Sequence, residues 1–308
     1  MANYRWANTG TTIIGTNGIG NAIDQLRYPH GIAIDHRQGR IFIGDHCNHR
    51  VLVVCTDSNT KDVLVLGDGR AGENQRLKFP TDVLFDPTDE SIYISDLGNR
   101  RVVKCSLLDP SHTFITVVNN IQCCGLAMDS HGALYVTDTQ KHAVLCFSRD
   151  SNVGVIVAGG NGKGDGLHQL HDPYYVAVDK DNTVYISDNH NQRITKWIKG
   201  ASEGVVLAGS SMPVAIHTPP LDPQGIVADT NGNIYVADGR YHRIVRYSRD
   251  TNVWDTIIAD SSEVDDELQL NTPIGLDFDQ KGDLYVVDKE YHRVQCFSIK
   301  NTTSWMKP

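Results

Sequence analysis

Short apolar runs and turn-forming residues alternate along this chain with a regular beat. In the stretch from Asp172 to Gly209, Pro173 precedes an apolar run closed by an acid, Tyr175 to Asp179, and the polar pair Asp181 and Asn182 marks a tight turn. A second run, Val184 to Ile186, is followed by Asp188; Arg193 opens a third; Val205 to Ala208 makes a fourth, ending at Gly209. Runs of about four or five β-branched or aromatic residues between turn formers predict short antiparallel strands joined by hairpins. One such unit is a four-stranded meander.

The unit recurs six times. The acid closing the first strand falls at Asp35, Asp86, Asp129, Asp179, Asp229 and Asp279, and the acid closing the second at Asp45, Asp96, Asp138, Asp188, Asp238 and Asp288. A period of roughly 50 residues points to a solenoid or a propeller. The interval into the third copy is shorter, because the Gly-rich connection GGNGKGDGLHQLHDP of copy four shrinks there to Asn119 to Cys123. Runs such as Ile41-Phe42-Ile43 and Leu284-Tyr285-Val286 are apolar without alternation, so each sheet needs cover on both faces. Radial stacking of six sheets provides that cover and leaves only short edges, whereas a linear solenoid would need polar caps.

The two ends of the pattern decide between these. Thr11 to Ile14 followed by Gly15 matches Val155 to Ala158 followed by Gly159, and Gly15 stands as far ahead of Pro29 as Gly159 does of Pro173. The last copy stops after its third strand, Arg293 to Ser298. A spare fourth strand at the start and a missing one at the end predict an all-β, six-bladed β-propeller of four-stranded antiparallel blades, closed by its N-terminal strand. The expected propeller spans residues 11–298, between an extension (1–10) and a tail (299–308).

The segments YPHGIAID with FIGDHCNHRV, DPQGIVAD with YVADGRYHRI, and TPIGLDFD with YVVDKEYHRV resemble the NHL-repeat family of six-bladed propellers. The sequence departs from that pattern at Asp82 and Tyr175, where other copies have Gly, and in copy three at Cys123 for Pro and Ala143 for Arg. The resemblance implies the fold and an interaction role. It also implies, as an alternative, the single-stranded RNA binding of NHL propellers in some tripartite-motif-like regulators.

Composition narrows this further. The chain has 308 residues, 40% of them hydrophobic, and all-β repeat folds of this length form one domain. The formal charge of −9 argues against a general polyanion binder. There is no apolar run of about 18 residues, so no membrane insertion is expected, and the start MANYRWANTG lacks the apolar core of a signal peptide. Seven cysteines at positions that suggest no disulfide framework, with Cys146 and Cys296 equivalent but on opposite sides of the ring, read as free thiols, which favours an intracellular setting; the sequon at Asn301 points weakly the other way. A monomer is expected.

The repeated pairs Asp45 with Arg50, Asp96 with Arg101, Asp188 with Arg193, Asp238 with Arg243, and Asp288 with Arg293 look catalytic but recur in nearly every blade. They are expected to be architecture, orienting loops through charge-assisted hydrogen bonds. Asp138 lacks the Arg and needs another partner. A binding site is expected instead among non-repeated residues on the face where the loops gather. At the channel mouth these are His30, Asp82, Cys124, Tyr174, Tyr175 and Gln224; in the loops joining second and third strands they are His46, Asn189, His190, Arg240 and Tyr241. Such a His, Tyr, Asn and Arg rim suits recognition of a protein or peptide partner. RNA would draw on Arg40, Lys141, Arg240, Lys289 and Arg293.

A metal-dependent lyase is a third reading. Peptidylglycine amidating lyases, which these propellers resemble, place three histidines from alternate blades on zinc; the matching positions here are His30, Cys124 and Gln224, of which only the first fits. Gluconolactonase-like propellers use an inner ring of acids, represented at the mouth only by Asp82. No catalytic residue and no resident cofactor is therefore expected, with zinc or calcium at the channel mouth the residual alternative. The Gly159 to Gly166 segment opens no helix, which argues against a phosphate cradle, and the acidic run Ser262 to Glu267 reads as a solvated loop.

Overall fold

A computed structural model describes residues 5–55, 62–68, 72, 75–149, 151–209, 221–259 and 269–300. The Ser262 to Glu267 run and the Asn301 sequon lie outside the described residues. Six four-stranded antiparallel sheets form the molecule. From the innermost strand outward, blade I comprises Ile32–Asp35, Arg40–Asp45, Arg50–Cys55 and Val63–Leu66. Blade II comprises Pro80–Asp86, Ser91–Asp96, Arg101–Ser106 and Phe114–Asn119, and blade III Cys123–Met128, Leu134–Asp138, Ala143–Phe147 and Val155–Gly159. Blade IV runs through Pro173–Val178, Val184–Asp188, Arg193–Trp197 and Val205–Gly209, and blade V through Pro223–Ala228, Ile234–Asp238, Arg243–Ser248 and Val253–Ile258. Blade VI takes Pro273–Phe278, Leu284–Asp288 and Arg293–Phe297 from the end of the chain and Thr11–Ile14 from its beginning.

Innermost strands meet their neighbours all the way round, blade VI against blade I included. The closing strand pairs Thr11 with Cys296 and Thr12 with Gln295, then slips by one before Ile14 pairs with Val294. The seal continues past the predicted boundary. Trp6 bridges to Ile299, the N–H of Ala7 donates to Ser298 O at 2.8 Å and that of Lys300 to Arg5 O at 2.7 Å. The Trp6 side chain is only 2% exposed, packs against Tyr235 and Phe278, and donates Nε1–H to Gly282 O at 2.8 Å. Residues 5–7 are thus part of the closure.

The first acids are turn builders. In all six hairpins between first and second strands, one carboxylate oxygen accepts the N–H two residues on at 2.9 Å, from Asp35 with Arg37 through Asp279 with Lys281. These are Asx turns, in which a short acid stands in for a backbone carbonyl.

Adjacent blades are latched by histidines. Nδ1 of His49, His142 and His242 accepts the backbone N–H of Phe79, Asp172 and Thr272 at 3.1, 3.3 and 3.0 Å. Each latch joins two residues with left-handed backbone, one before a third strand and one before a first strand. On the opposite face, Arg149 of blade III reaches Asp86 of blade II at 2.7 Å.

Candidate functional site

The carboxylates that recur in the second strands are spent internally. Nε of Arg50, Arg101, Arg193, Arg243 and Arg293 donates to its Asp partner at 2.7, 2.8, 2.7, 2.8 and 2.8 Å. The other carboxylate oxygen accepts a backbone N–H from the connection ahead of the blade, as Asp45 does from Arg27 and Asp188 from His171. The guanidinium then holds loop carbonyls: Arg50 takes those of Asn21, Ala22 and Gln25, and Arg193 those of Asp165, Gly166 and Gln169. In blade III, where both the Arg and the long connection are missing, Asp138 accepts from the N–H groups of Gln140 and Lys141 at 3.1 and 3.2 Å. Arginine and loop disappear together because each satisfies the other. All six carboxylates are buried and engaged by the fold's own donors, which keeps them from a substrate.

Sequence reasoning put His30, Asp82, Cys124 and Tyr175 on an accessible mouth; the structure buries all four. Neighbouring innermost strands lie almost in backbone contact there. A Cβ on Gly31 would stand 2.5 Å from Asp82 Cα, one on Gly125 2.6 Å from Tyr175 Cα, and one on Gly275 2.3 Å from His30 O. Glycine in blades I and III therefore makes room for the larger Asp82 and Tyr175 of blades II and IV. These two are tied down by the backbone: Asp82 accepts the N–H groups of Val83 and Leu126 at 3.0 and 2.8 Å, and Tyr175 donates its hydroxyl to Thr81 O at 3.2 Å. Both line a central cavity of about 280 Å³ together with Asp277. Burial, reinforced by Asp277, pushes the Asp82 carboxyl up to about 8 against those two hydrogen bonds.

His30 stacks on His46 with ring centroids 4.0 Å apart, and its Nδ1 has no partner. Burial first, then the neighbouring His46 and Lys289, hold His30 well below the usual imidazole range. His46 is lowered mainly by burial and meets Pro80 O at 3.1 Å. All seven cysteines are free thiols. Burial raises Cys105 and Cys123 to about 12 and raises Cys124 as well, so none of these three is an activated nucleophile.

Accessible chemistry lies further out, on the rim. Tyr241 and Tyr291, on blades V and VI, are each 39% exposed. Their rings are covered by the structural arginines, with the Arg243 guanidinium 5.1 Å and that of Arg293 4.9 Å from the ring centroids. Arg240 and Glu290 are exposed beside them. Asn189 is turned inward, donating to Pro223 O at 3.0 Å; Gln224 reaches Asp222 at 3.3 Å; Tyr174 is half-buried against Tyr175. His190 has company that the sequence did not reveal: its ring stacks on His171 at 4.3 Å, and both face Asp172. His171 and Asp172 sit in the connection before Pro173, where no repeat pattern marks them. The only hint was a second pair of metal-ligating residue types in the blade that carries His190.

The NHL repeat model matches residues 26–54, 221–247 and 270–297, which fall in blades I, V and VI. Three blades of this six-bladed propeller are thus NHL repeats. Among solved structures, it is similar to a protein of unknown function from Bacteroides thetaiotaomicron at 17% identity and a TM-score of 0.75, covering 96% of this chain and 77% of that one. A gluconolactonase from Xanthomonas campestris matches at 16% identity and a TM-score of 0.68, with 97% of this chain and 98% of the other covered. A catalytically inactive virginiamycin B lyase from Staphylococcus aureus, solved with quinupristin, matches at 12% identity and a TM-score of 0.61 over 99% and 89%. At such identities the likeness to these structures concerns the fold. Within the described residues, no helix of the NHL propeller is long and apolar enough to cross a membrane.

Proposed function

We propose that this NHL propeller is a non-catalytic module that binds a protein or peptide segment on the loop-rich rim. The observation that carries the reading is the mounting of Tyr241 and Tyr291. Each ring is half-exposed, capped by a guanidinium, and that guanidinium is fixed by a carboxylate buried in the blade. Aromatic side chains held in place before a ligand arrives lose little conformational entropy on binding, and such residues dominate interface energetics. Mixed charge from Arg240, Lys289 and Glu290 around them suits a polypeptide better than a polyanion, as does the net charge of −9.

Selection of peptides from a displayed random library, followed by titration against wild type and a Tyr241→Ala/Tyr291→Ala variant, tests this. The selected peptides should bind the variant at least about tenfold more weakly, the loss of one aromatic anchor or more. Equal affinity for both proteins would refute the site.

A further inference from the structure

We propose that His171, Asp172 and His190 form a site for a zinc-class divalent cation on the rim of blade IV. The site goes beyond peptide binding and does not depend on it.

Three donors converge there from two loops. Nδ1 of His190 lies 3.3 Å from Oδ2 of Asp172, and Nε2 of His171 lies 3.8 Å from the same oxygen. One donor atom from each residue falls within 4.8 Å of the other two. Two ligands each about 2.0–2.1 Å from a tetrahedral zinc stand about 3.3 Å apart, so the His190 and Asp172 atoms are already at the required spacing. The two imidazoles pair with the Asp172 carboxylate, and each neutral ring can instead turn a lone pair from the same nitrogen to a cation. A bound cation would replace the shared protons as the group that joins the three.

The backbones that carry these donors are held by the blade's own architecture. The N–H of His171 donates to Asp188 at 2.7 Å, the N–H of His190 to His171 O at 3.3 Å, and the Asn191 amide to Asp188 at 2.8 Å. Asp172 adopts φ 50° and donates its N–H to the His142 latch, whose Nδ1 also lies 3.2 Å from the second oxygen of Asp172. Outer contacts of this kind orient metal ligands.

The corresponding backbone positions in blade I carry Arg27, Tyr28 and Cys47, and those in blade VI carry Asn271, Thr272 and Glu290. The cluster is therefore not part of the repeat. Two imidazoles and one carboxylate select zinc-class ions over calcium and magnesium, which demand mostly oxygen. Three protein ligands leave the fourth position open to water or to a donor atom of a bound ligand.

The test uses the purified chain with any affinity tag removed and metals stripped with chelator. Cobalt(II) is titrated and followed by visible absorption, then displaced with zinc and checked by calorimetry. Wild type should take up one equivalent of each metal, with the intense bands of tetrahedral cobalt, and zinc should raise its melting temperature. His190→Ala and Asp172→Asn should each weaken binding at least about tenfold. His30→Ala should bind as wild type does. His190 is 60% exposed, so His190→Ala should melt as wild type does without metal, which separates loss of the site from loss of the fold. Absence of an equivalent in wild type, or its retention in His190→Ala, would overturn the assignment. Because no peptide is present, the result stands apart from the fate of the Tyr241 and Tyr291 reading.

Discussion

Nδ1 of His292 accepts the backbone N–H of Tyr28 at 3.2 Å, joining the last blade to the first. The bond repeats, where the last copy of the repeat meets the first, the latch made by His49 with Phe79. Both pairs add an edge-to-face ring contact, with centroids 4.6 Å apart for Tyr28 and His292 and 4.4 Å for His49 and Phe79. The junction of blades VI and I therefore uses the same local device as the other junctions that carry the histidine.

His292→Ala should destabilise the protein by about 1–3 kcal/mol, the cost of leaving a part-buried N–H unpaired and losing the ring contact. His49→Ala should cost the same to within about 0.5 kcal/mol, since the two sites are independent and alike. Urea unfolding of both variants measures this. A His292 effect several times larger would mean that the junction of blades VI and I is a separately weak point.

The Asp188–Arg193 pair is 0% and 2% exposed, whereas Asp89 and Lys104 pair at 42% and 26%. Arg193→Met should cost about 3–5 kcal/mol, because it strands a buried carboxylate and three loop carbonyls. Lys104→Met should cost about 0–1 kcal/mol. Thermal melts of the two variants give the contrast directly.

Stability should fall on acidification through His30. Its folded-state pKa lies below the unfolded value near 6.5, so the unfolded chain binds the extra proton first. The neutral ring's contribution is fully present above about 6.5 and is lost as pH falls below it. The charged or titrating groups facing it are His46 and Lys289. Denaturation midpoints between pH 7.5 and 5 should decline more steeply for wild type than for His30→Gln.

Asp82 gives the opposite sign. With a folded value near 8 against 3.8 unfolded, its carboxyl keeps a proton that the unfolded chain has released. Its effect on stability is absent below about 4, grows unfavourable as pH rises to 8, and levels off above. Asp82→Asn starts with one backbone N–H unaccepted, yet its stability relative to wild type should improve across that window. A flat difference would show that the N–H groups of Val83 and Leu126 keep the carboxylate ionised.

The period, the six blades and the N-terminal seal could be read from the spacing of acids, prolines and glycines, because a closed stack of sheets repeats its turn chemistry at every hairpin. The depth of the mouth could not. Whether His30 or Cys124 reaches solvent depends on how closely innermost strands approach, and only the clash that a Cβ on Gly31 or Gly275 would meet reveals that separation. His49, His142, His242 and His292 stood in plain view beside the arginines, yet one histidine looks the same in sequence whether it takes a backbone N–H or faces a ligand. Trp6 was similarly passed over in a short polar start. His171 and Asp172 come together with His190 only because Asp188 fastens both loops.

Thr11 to Ile14 must wait for its partner. During synthesis at about 5–20 residues per second, the strand leaves the ribosome on the order of tens of seconds before Arg293–Phe297 exists to receive it. Until then the nascent protein is an open arc with two unmatched ends, and another copy's final blade could capture the same strand. Slow translation or early release should favour exchanged dimers over monomers.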